Sequence, residues 1–304
     1  MILRKVVLIS ARWLVHGIFF QRLDLLLNKK RVQKRLNDQA LQEFHLMKDA
    51  YALNQKTREK KIIVSLTTIP SRIDKVILVI SRMMNQTILP DKIILCLDKT
   101  RKEDIVFSED LNILIKNGLE IKWVEDVGPH TKYLYATQKY HDDIVITVDD
   151  DIIYSHRLLE TLLRSYEKYP KAVSANIVTR FVVKNGKIQA SSQWLQQFKY
   201  GIGDANSVAY GVGGVLYPPN ILPKEAFDIK RIIKTSKFQD DLWLKAIELK
   251  YEIDVVKAQG SDRLFGYFVT VDGSQGESLR DTNDFKDRNI EYLNKLINEF
   301  GLDI

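Results

Sequence analysis

The segment IVITVDDDIIY, Ile144 to Tyr154, carries three consecutive carboxylates, Asp149, Asp150 and Asp151, directly behind an apolar run that reads as a buried strand. Like charges this close repel unless a cation or ample water meets them. Two carboxylates in an Asp-x-Asp spacing can approach one hard divalent cation, Mn²⁺ or Mg²⁺, from the same side. Such an ion bridges diphosphate oxygens and neutralises the charge on a departing nucleoside diphosphate. Taken alone, the triplet reads equally well as a solvated acidic turn. A second acidic pair, Asp240 and Asp241, stands in KFQDDLWLKAIELKY, where Leu242, Leu244, Ile247 and Leu249 predict a helix that begins at the pair. Carboxylates in a first helical turn interact with the dipole as caps, and one that faces a ligand can act as a general base. Between the two acidic groups lies YGVGGVLYPP, with Gly211, Gly213 and Gly214 within four positions. Glycines let the backbone pass close under a ligand. The segment lacks the G-x-G-x-x-G spacing and does not follow the first strand, so it is not a dinucleotide fingerprint.

The elements that must hold these residues begin at Lys61. KIIVSLTT reads as a strand, RIDKVILVISRMMNQ as a helix with one apolar face, and KIILCLD as a second strand. LEIKWVED gives a third strand, TKYLYATQKY a helix and DIVITVD a fourth strand. Strands alternating with helices predict an α/β fold with a mostly parallel sheet flanked by helices, whose ligands bind beyond the carboxyl ends of the strands. The aspartate triplet stands at such an end. NDFKDRNIEYLNKLINEFGL predicts a closing C-terminal helix with Ile290, Leu293, Ile297 and Phe300 as its apolar stripe. Trp194 reads as a sugar-stacking or a core aromatic, and His130 and His141 as surface or cap residues beside the TKYLYATQKY helix. The polar loop from Asp272 to Asp284 is a candidate cover over a bound ligand.

Composition bounds the rest. The chain has 304 residues, 45% hydrophobic and 28% charged, as expected of a globular protein. Its single cysteine, Cys96, excludes a disulfide framework and fits a reducing cytoplasm. The net charge of +7 is unevenly spread: Met1 to Lys61 holds 14 Lys/Arg against 5 Asp/Glu, leaving 32 against 34 for the remainder. A globular part at −2 has the wrong sign for tracking nucleic-acid phosphates, so no nucleic-acid partner is expected. Residues 1–60 therefore read as a basic amphipathic helical arm and 61–304 as the catalytic domain. On a helix, Arg4, Lys5, Arg12, His16 and Arg22 fall within an arc of about 120°. These charges rule out an apolar span of roughly 20 residues and an unbroken signal-peptide core. The arm is expected to lie in an anionic membrane surface with Trp13, Phe19 and Phe20 inserted, or else to pack on protein.

In its order of parts the sequence resembles the bacterial glycosyltransferases of the glycosyltransferase-A fold, in particular a group that assembles capsule and lipopolysaccharide. The resemblance runs from about Lys61 to the C-terminus, on VSLTTIPSRI, NQTILPDKIIL, TKY, ITVDDDIIY, GVGGVLYPP and DDLWLKA. It implies a Rossmann-like sheet and transfer of a sugar from a nucleoside-diphosphate sugar to a glycan or lipid-linked glycan, at the cytoplasmic face of the plasma membrane. Asp149 and Asp151 are then the metal ligands, with Asp150 near the donor ribose. Thr67, Thr68, Pro70 and Arg72 match the nucleotide loop, and Lys132 a lysine near the diphosphate or sugar. Gly213 and Gly214 match the floor of the sugar and acceptor site. Asp241, with Asp240 beside it, matches the base of inverting enzymes. Many members complete the metal site with a late histidine, whereas the last histidine here is His156. Asp262, Asp272 or water are the alternatives for a third ligand. Two other classes compete. A haloacid-dehalogenase-like phosphatase also uses a strand followed by Asp-x-Asp, but on its first strand rather than the fourth. A non-catalytic membrane-surface protein would leave the acidic groups solvated.

Overall fold

The computed structural model of the chain describes residues 31, 33–260, 269–274 and 288–302. The first described helix, α1, covers residues 33–47. There follow β1 (Ile62–Thr67), α2 (Val76–Met84), β2 (Lys92–Asp98), α3 (Glu109–Lys116), β3 (Leu119–Val124), α4 (Thr131–Lys139), β4 (Ile144–Thr147) and α5 (Leu158–Lys168). The second half contributes short strands: β5 (Val173–Ala175), β6 (Val178–Arg180), β7 (Val183–Lys184), β8 (Lys187–Ile188), β9 (Leu195–Gln196), β10 (Gly201–Ile202), β11 (Ser207–Ala209), β12 (Val215–Tyr217) and β13 (Val255–Lys257). Helices α6 (Ile229–Thr235), α7 (Asp240–Lys250) and α8 (Arg288–Phe300) complete the described chain.

One eight-stranded sheet organises the molecule, in the order β10-β13-β5-β12-β4-β1-β2-β3. β1, β2, β3 and β4 pair in parallel, as do β5 and β13, whereas β12 runs antiparallel between β4 and β5, and β10 antiparallel to β13. This is the mostly parallel, helix-flanked sheet expected from the alternating pattern. β1, β2 and β4 are apolar on both faces, with Ile63, Val64, Leu66, Ile94, Cys96 and Ile146 fully buried, because helices cover both sides. A smaller sheet, β11-β6-β9, and the hairpin β7-β8 pack beside it.

Two features differ from the sequence expectation. The Gly-rich segment is the turn into β12, an interior strand that reverses direction; three residues of strand are too short for periodicity to reveal. In α8 the buried residues are Leu293, Leu296 and Phe300, with Asn289 beneath them. The stripe therefore gains Leu296 and leaves Ile290 aside, while Ile297 stays partly buried against the core and Phe300 docks against Trp243 of α7, with ring centroids 5.3 Å apart.

Met1 to Lys30, which carry the expected membrane-facing cluster, lie outside the described residues. The later part of the basic segment packs on the sheet domain. Phe44 of α1 is 1% exposed and Tyr51 is buried, and both join the core cluster formed around α2 and β1. Glu43 pairs with Arg82 at 2.8 Å and His156 at 2.7 Å. Asn37 receives the backbone N–H of Asp272 at 2.8 Å and donates to the carbonyl of Thr270 at 2.9 Å. Among the described residues no helix is long and apolar enough to cross a membrane. Because Phe44 fills the core, Phe44→Ala should destabilise the full chain by about 3–5 kcal/mol in urea unfolding, the usual cost of emptying a buried Phe site. A loss under about 1 kcal/mol would mean that α1 is only loosely applied to the domain.

Candidate active site

The triplet sits where the parallel strands end. β4 stops at Thr147, and the chain turns at Asp149–Asp151 before α5. Asp149 and Asp151 are partly exposed, whereas Asp150 between them is buried. Each carboxylate meets a cation. Lys132 Nζ lies 2.8 Å from Asp149 Oδ1, and an Arg72 guanidinium nitrogen lies 3.0 Å from Asp150 Oδ1 and 3.4 Å from Asp151 Oδ2. Thr68 Oγ1 donates to Asp150 Oδ2 at 2.5 Å. Asp150 thereby anchors the loop after β1, in which Thr67 Oγ1 donates to the carbonyl of Cys96 at 3.0 Å and Pro70 opens a single 3₁₀ turn ending at Arg72. Burial raises the pKa of Asp150, and the Thr68 hydroxyl and the Arg72 charge only partly offset this.

The second acidic pair is brought to the first by the same lysine. Lys132 leaves the first turn of α4 with its ammonium buried, and Asp240 Oδ2 approaches it at 2.9 Å from the N-terminus of α7. Burial opposes the charge on Lys132, yet Asp149, Asp240 and Asp241 outweigh it and hold the ammonium pKa well above its usual value. Asp240 is buried, which favours its neutral form, but Lys132 and then His130 pull its pKa below the usual carboxylate range. Asp241 goes the other way: burial, then the charges of Asp240 and Asp149, push its pKa well up against the pull of Lys132. Two adjacent carboxylates sharing one cation cannot both ionise at little cost. The side chain of Asp241 is fixed by the backbone N–H of Gly211, which donates to Oδ1 at 2.9 Å.

That bond makes Gly211 the glycine of the centre. A Cβ there would stand 2.6 Å from Lys132 Nζ and 3.2 Å from Asp241 Oδ1. Gly213 packs instead against Ile177, and Gly214, at φ +78°, lies against Leu158. Glycine spacing alone could not rank the three, because the decisive neighbour, Lys132, comes from a distant helix. Tyr154 was equally hidden: its hydroxyl receives the N–H of Asp149 at 2.9 Å and so braces the turn from a buried position. His130 corrects the surface reading. It is fully buried at the N-terminus of α4, its Nε2 donates to the carbonyl of Ser236 at 2.8 Å, and burial lowers its pKa. Trp194 is 9% exposed, packs on Phe181 with centroids 6.1 Å apart, and donates Nε1–H to the carbonyl of Gln189, so it is a core aromatic.

The donor set can be tested against a divalent ion. Asp149 and Asp151 are hard oxygen donors and the partly exposed members of the triplet, which suits Mg²⁺ or Mn²⁺. Among the described residues no three His, Cys, Asp or Glu side chains form a metal cluster. An ion here would complete its shell with water and ligand oxygens, as Mg²⁺ commonly does. Asp262 lies outside the described residues. Asp272 is exposed, on the strand-like segment that runs beside the triplet, where the N–H of Val271 donates to the carbonyl of Asp151 at 2.8 Å.

No protein-family model matches the chain, and no curated protein matches it in sequence. Among solved structures it is similar to a 2-C-methyl-D-erythritol 4-phosphate cytidylyltransferase from Francisella tularensis, at 12% identity over 76% of this chain and 99% of that one, with a TM-score of 0.41. It is also similar to a CMP:2-keto-3-deoxy-manno-octonic acid synthetase complexed with CTP, at 12% identity over 65% and 88% of the two chains, TM-score 0.38. A third likeness is to a glucosyl-3-phosphoglycerate synthase from Mycobacterium tuberculosis in complex with Mn²⁺, UDP and glucosyl-3-phosphoglycerate, at 13% identity over 41% and 50%, TM-score 0.30. Likenesses this remote leave substrate and reaction to the side chains of this chain.

The raised pKa of Asp241 has a consequence for stability. A carboxyl whose folded pKa exceeds its unfolded value costs nothing below about pH 4 and penalises the fold increasingly as pH climbs toward the folded pKa. Asparagine keeps an oxygen for Gly211 N–H and removes the charge. Asp241→Asn should therefore raise the melting temperature at pH 7 over that of the wild type, with the difference shrinking toward pH 4. A difference that is independent of pH, or that grows on acidification, would contradict the assigned direction.

Proposed function

We propose that the protein is a metal-dependent glycosyltransferase that moves a sugar from a nucleoside-diphosphate sugar to a hydroxyl of a surface polysaccharide or lipid-linked glycan, with inversion at the anomeric carbon. The observation that supports this reading most is the sorting of carboxylates around Lys132 and Arg72. Asp149, Asp151 and Asp241 keep exposed surface, while Asp150, Asp240 and the lysine itself are buried beneath them. A solvated acidic turn would need no such buried cation. A first-strand phosphatase nucleophile would not be ion-paired at the end of the fourth strand.

In this reading Asp149 and Asp151 hold Mn²⁺ or Mg²⁺, which when bound supplies positive charge to the diphosphate. Lys132 adds a fixed cation 2.8 Å from Asp149, in a place where water is largely excluded and charge acts strongly. Thr67, Thr68, Pro70 and Arg72 form the nucleotide side, with Asp150 tying that loop to the triplet. On the acceptor side Gly211, whose N–H holds Asp241, makes the floor, with Gly213 and Gly214 packed behind it on Ile177 and Leu158. A recess of about 340 Å³ next to this turn is lined by Thr179, Ser191, Tyr210 and Asn289, with hydroxyls, an amide and one phenol ring suited to a sugar. Asp241 takes the acceptor hydroxyl proton as the new bond to the anomeric carbon forms and the bond to the diphosphate oxygen breaks. A raised proton affinity makes its carboxylate a stronger base than an ordinary aspartate. The basic arm would hold the enzyme at the cytoplasmic face of an anionic membrane, near lipid-linked acceptors.

Two substitutions separate binding from chemistry. Asp241→Asn should leave donor affinity nearly unchanged and lower turnover by about 10²–10⁴, the usual worth of a general base. Asp151→Asn should instead abolish the metal dependence of donor binding, measured by calorimetry with and without Mn²⁺. Near wild-type turnover in the first variant would remove Asp241 as the base. Normal metal-dependent affinity in the second would remove Asp151 as a ligand.

A further inference from the structure

A cavity of about 450 Å³ lies away from the aspartate centre, between α5 and the outer strands β10 and β13. Its charge follows from helical periodicity. Arg157, Thr161, Arg164 and Lys168 recur at spacings of four, three and four residues, so one face of α5 presents three cations to the cavity. The opposite wall adds Lys257 of β13, which is 1% exposed, with Nζ donating to the carbonyl of Asn176 at 3.0 Å. Among the described residues no Asp or Glu lines the cavity. The carboxylate next to it, Glu160, is shared by Arg157 at 2.9 Å and Arg164 at 2.5 Å, so two guanidiniums divide one negative charge.

Four cations around a hollow of this size specify an anion larger than a bare phosphate. Arginine forks suit phosphate and carboxylate oxygens, and the rings of Tyr169 and Tyr200 with the Gln259 amide offer the apolar and polar surfaces a sugar needs. The depth of Lys257 argues against a flat bilayer, which cannot reach a side chain so nearly excluded from the surface. We propose that this cavity binds an anionic saccharide through its phosphate or carboxylate groups. Asn176, which accepts from Lys257, donates to the carbonyl of Gly213 at 3.0 Å, so the inner wall of the cavity stands two hydrogen bonds from the glycine turn of the aspartate centre. None of the lining residues belongs to that centre, and binding here does not depend on the transfer reaction.

The test is isothermal titration of the full chain with three probes: glucose 1-phosphate, an oligogalacturonate, and vesicles containing phosphatidylglycerol. The two saccharides separate phosphate from carboxylate recognition, and the oligogalacturonate has no phosphate for the nucleotide loop to take. Arg164→Gln combined with Lys168→Gln changes two exposed side chains and leaves Arg157 to pair with Glu160, so the fold should persist; Lys257→Met probes the buried wall. At least one anionic saccharide should bind the wild type, and both variants should weaken it by about tenfold or more, the scale of losing charge-assisted hydrogen bonds. Arg72→Gln should leave that binding unchanged. Saccharide binding that is absent, that survives both cavity variants, or that is lost in Arg72→Gln would overturn the proposal. So would vesicle binding, without saccharide binding, that depends on Arg164 and Lys168.

Discussion

The architecture of the site depends on one buried ammonium. Lys132 Nζ stands between Asp149, at the end of β4, and Asp240, at the start of α7, within 2.9 Å of each. An isolated lysine in that position would lose its proton rather than its water, and the two aspartates without it would be uncompensated charges. Each therefore requires the others. The requirement reaches further, because Gly211 must come within 3.2 Å of Asp241 and 2.6 Å of the ammonium, measured from where a Cβ would be. Strand β4, helix α4, the turn into β12 and the first turn of α7 are held in register by this cluster.

The same cluster divides the labour of the two adjacent aspartates. Asp240, the nearer of the two to the ammonium, stays ionised, and the charge it keeps is the second cause, after burial, of the raised pKa of Asp241. Neighbouring residues of the same type thus acquire opposite proton affinities from position alone.

Much of this was legible in the sequence. The β1 to β4 strands and their helices were readable because each is a long apolar run or a clear helical stripe, and the triplet and the Asp240–Asp241 pair lie where those patterns placed them. Lys132 could be named through a resemblance, but its function as a bridge could not, since nothing local distinguishes it from a surface lysine. Gly211 is not separable from its neighbouring glycines, and His130 reads as a surface or cap residue, for the same reason: their partners Asp241 and Ser236 come from other elements; Tyr154, which braces the N–H of Asp149, has no sequence signal of its own. The short strands of the second half carry too few residues for a period. The basic segment shows a further limit: composition groups residues 1–60 as one arm, yet Phe44 and Tyr51 within it are part of the hydrophobic core.

The proposed role of the lysine-centred aspartates is that of a donor site for nucleoside-diphosphate sugars. Titrating the full chain with a panel of such sugars, with and without Mn²⁺ or Mg²⁺, while recording thermal shift and donor hydrolysis, tests it most directly. At least one donor should bind only when metal is present, stabilise the fold and be slowly hydrolysed. If no member of the panel binds, or if the tightest binds equally well in chelator, the aspartates are not a metal-dependent donor site.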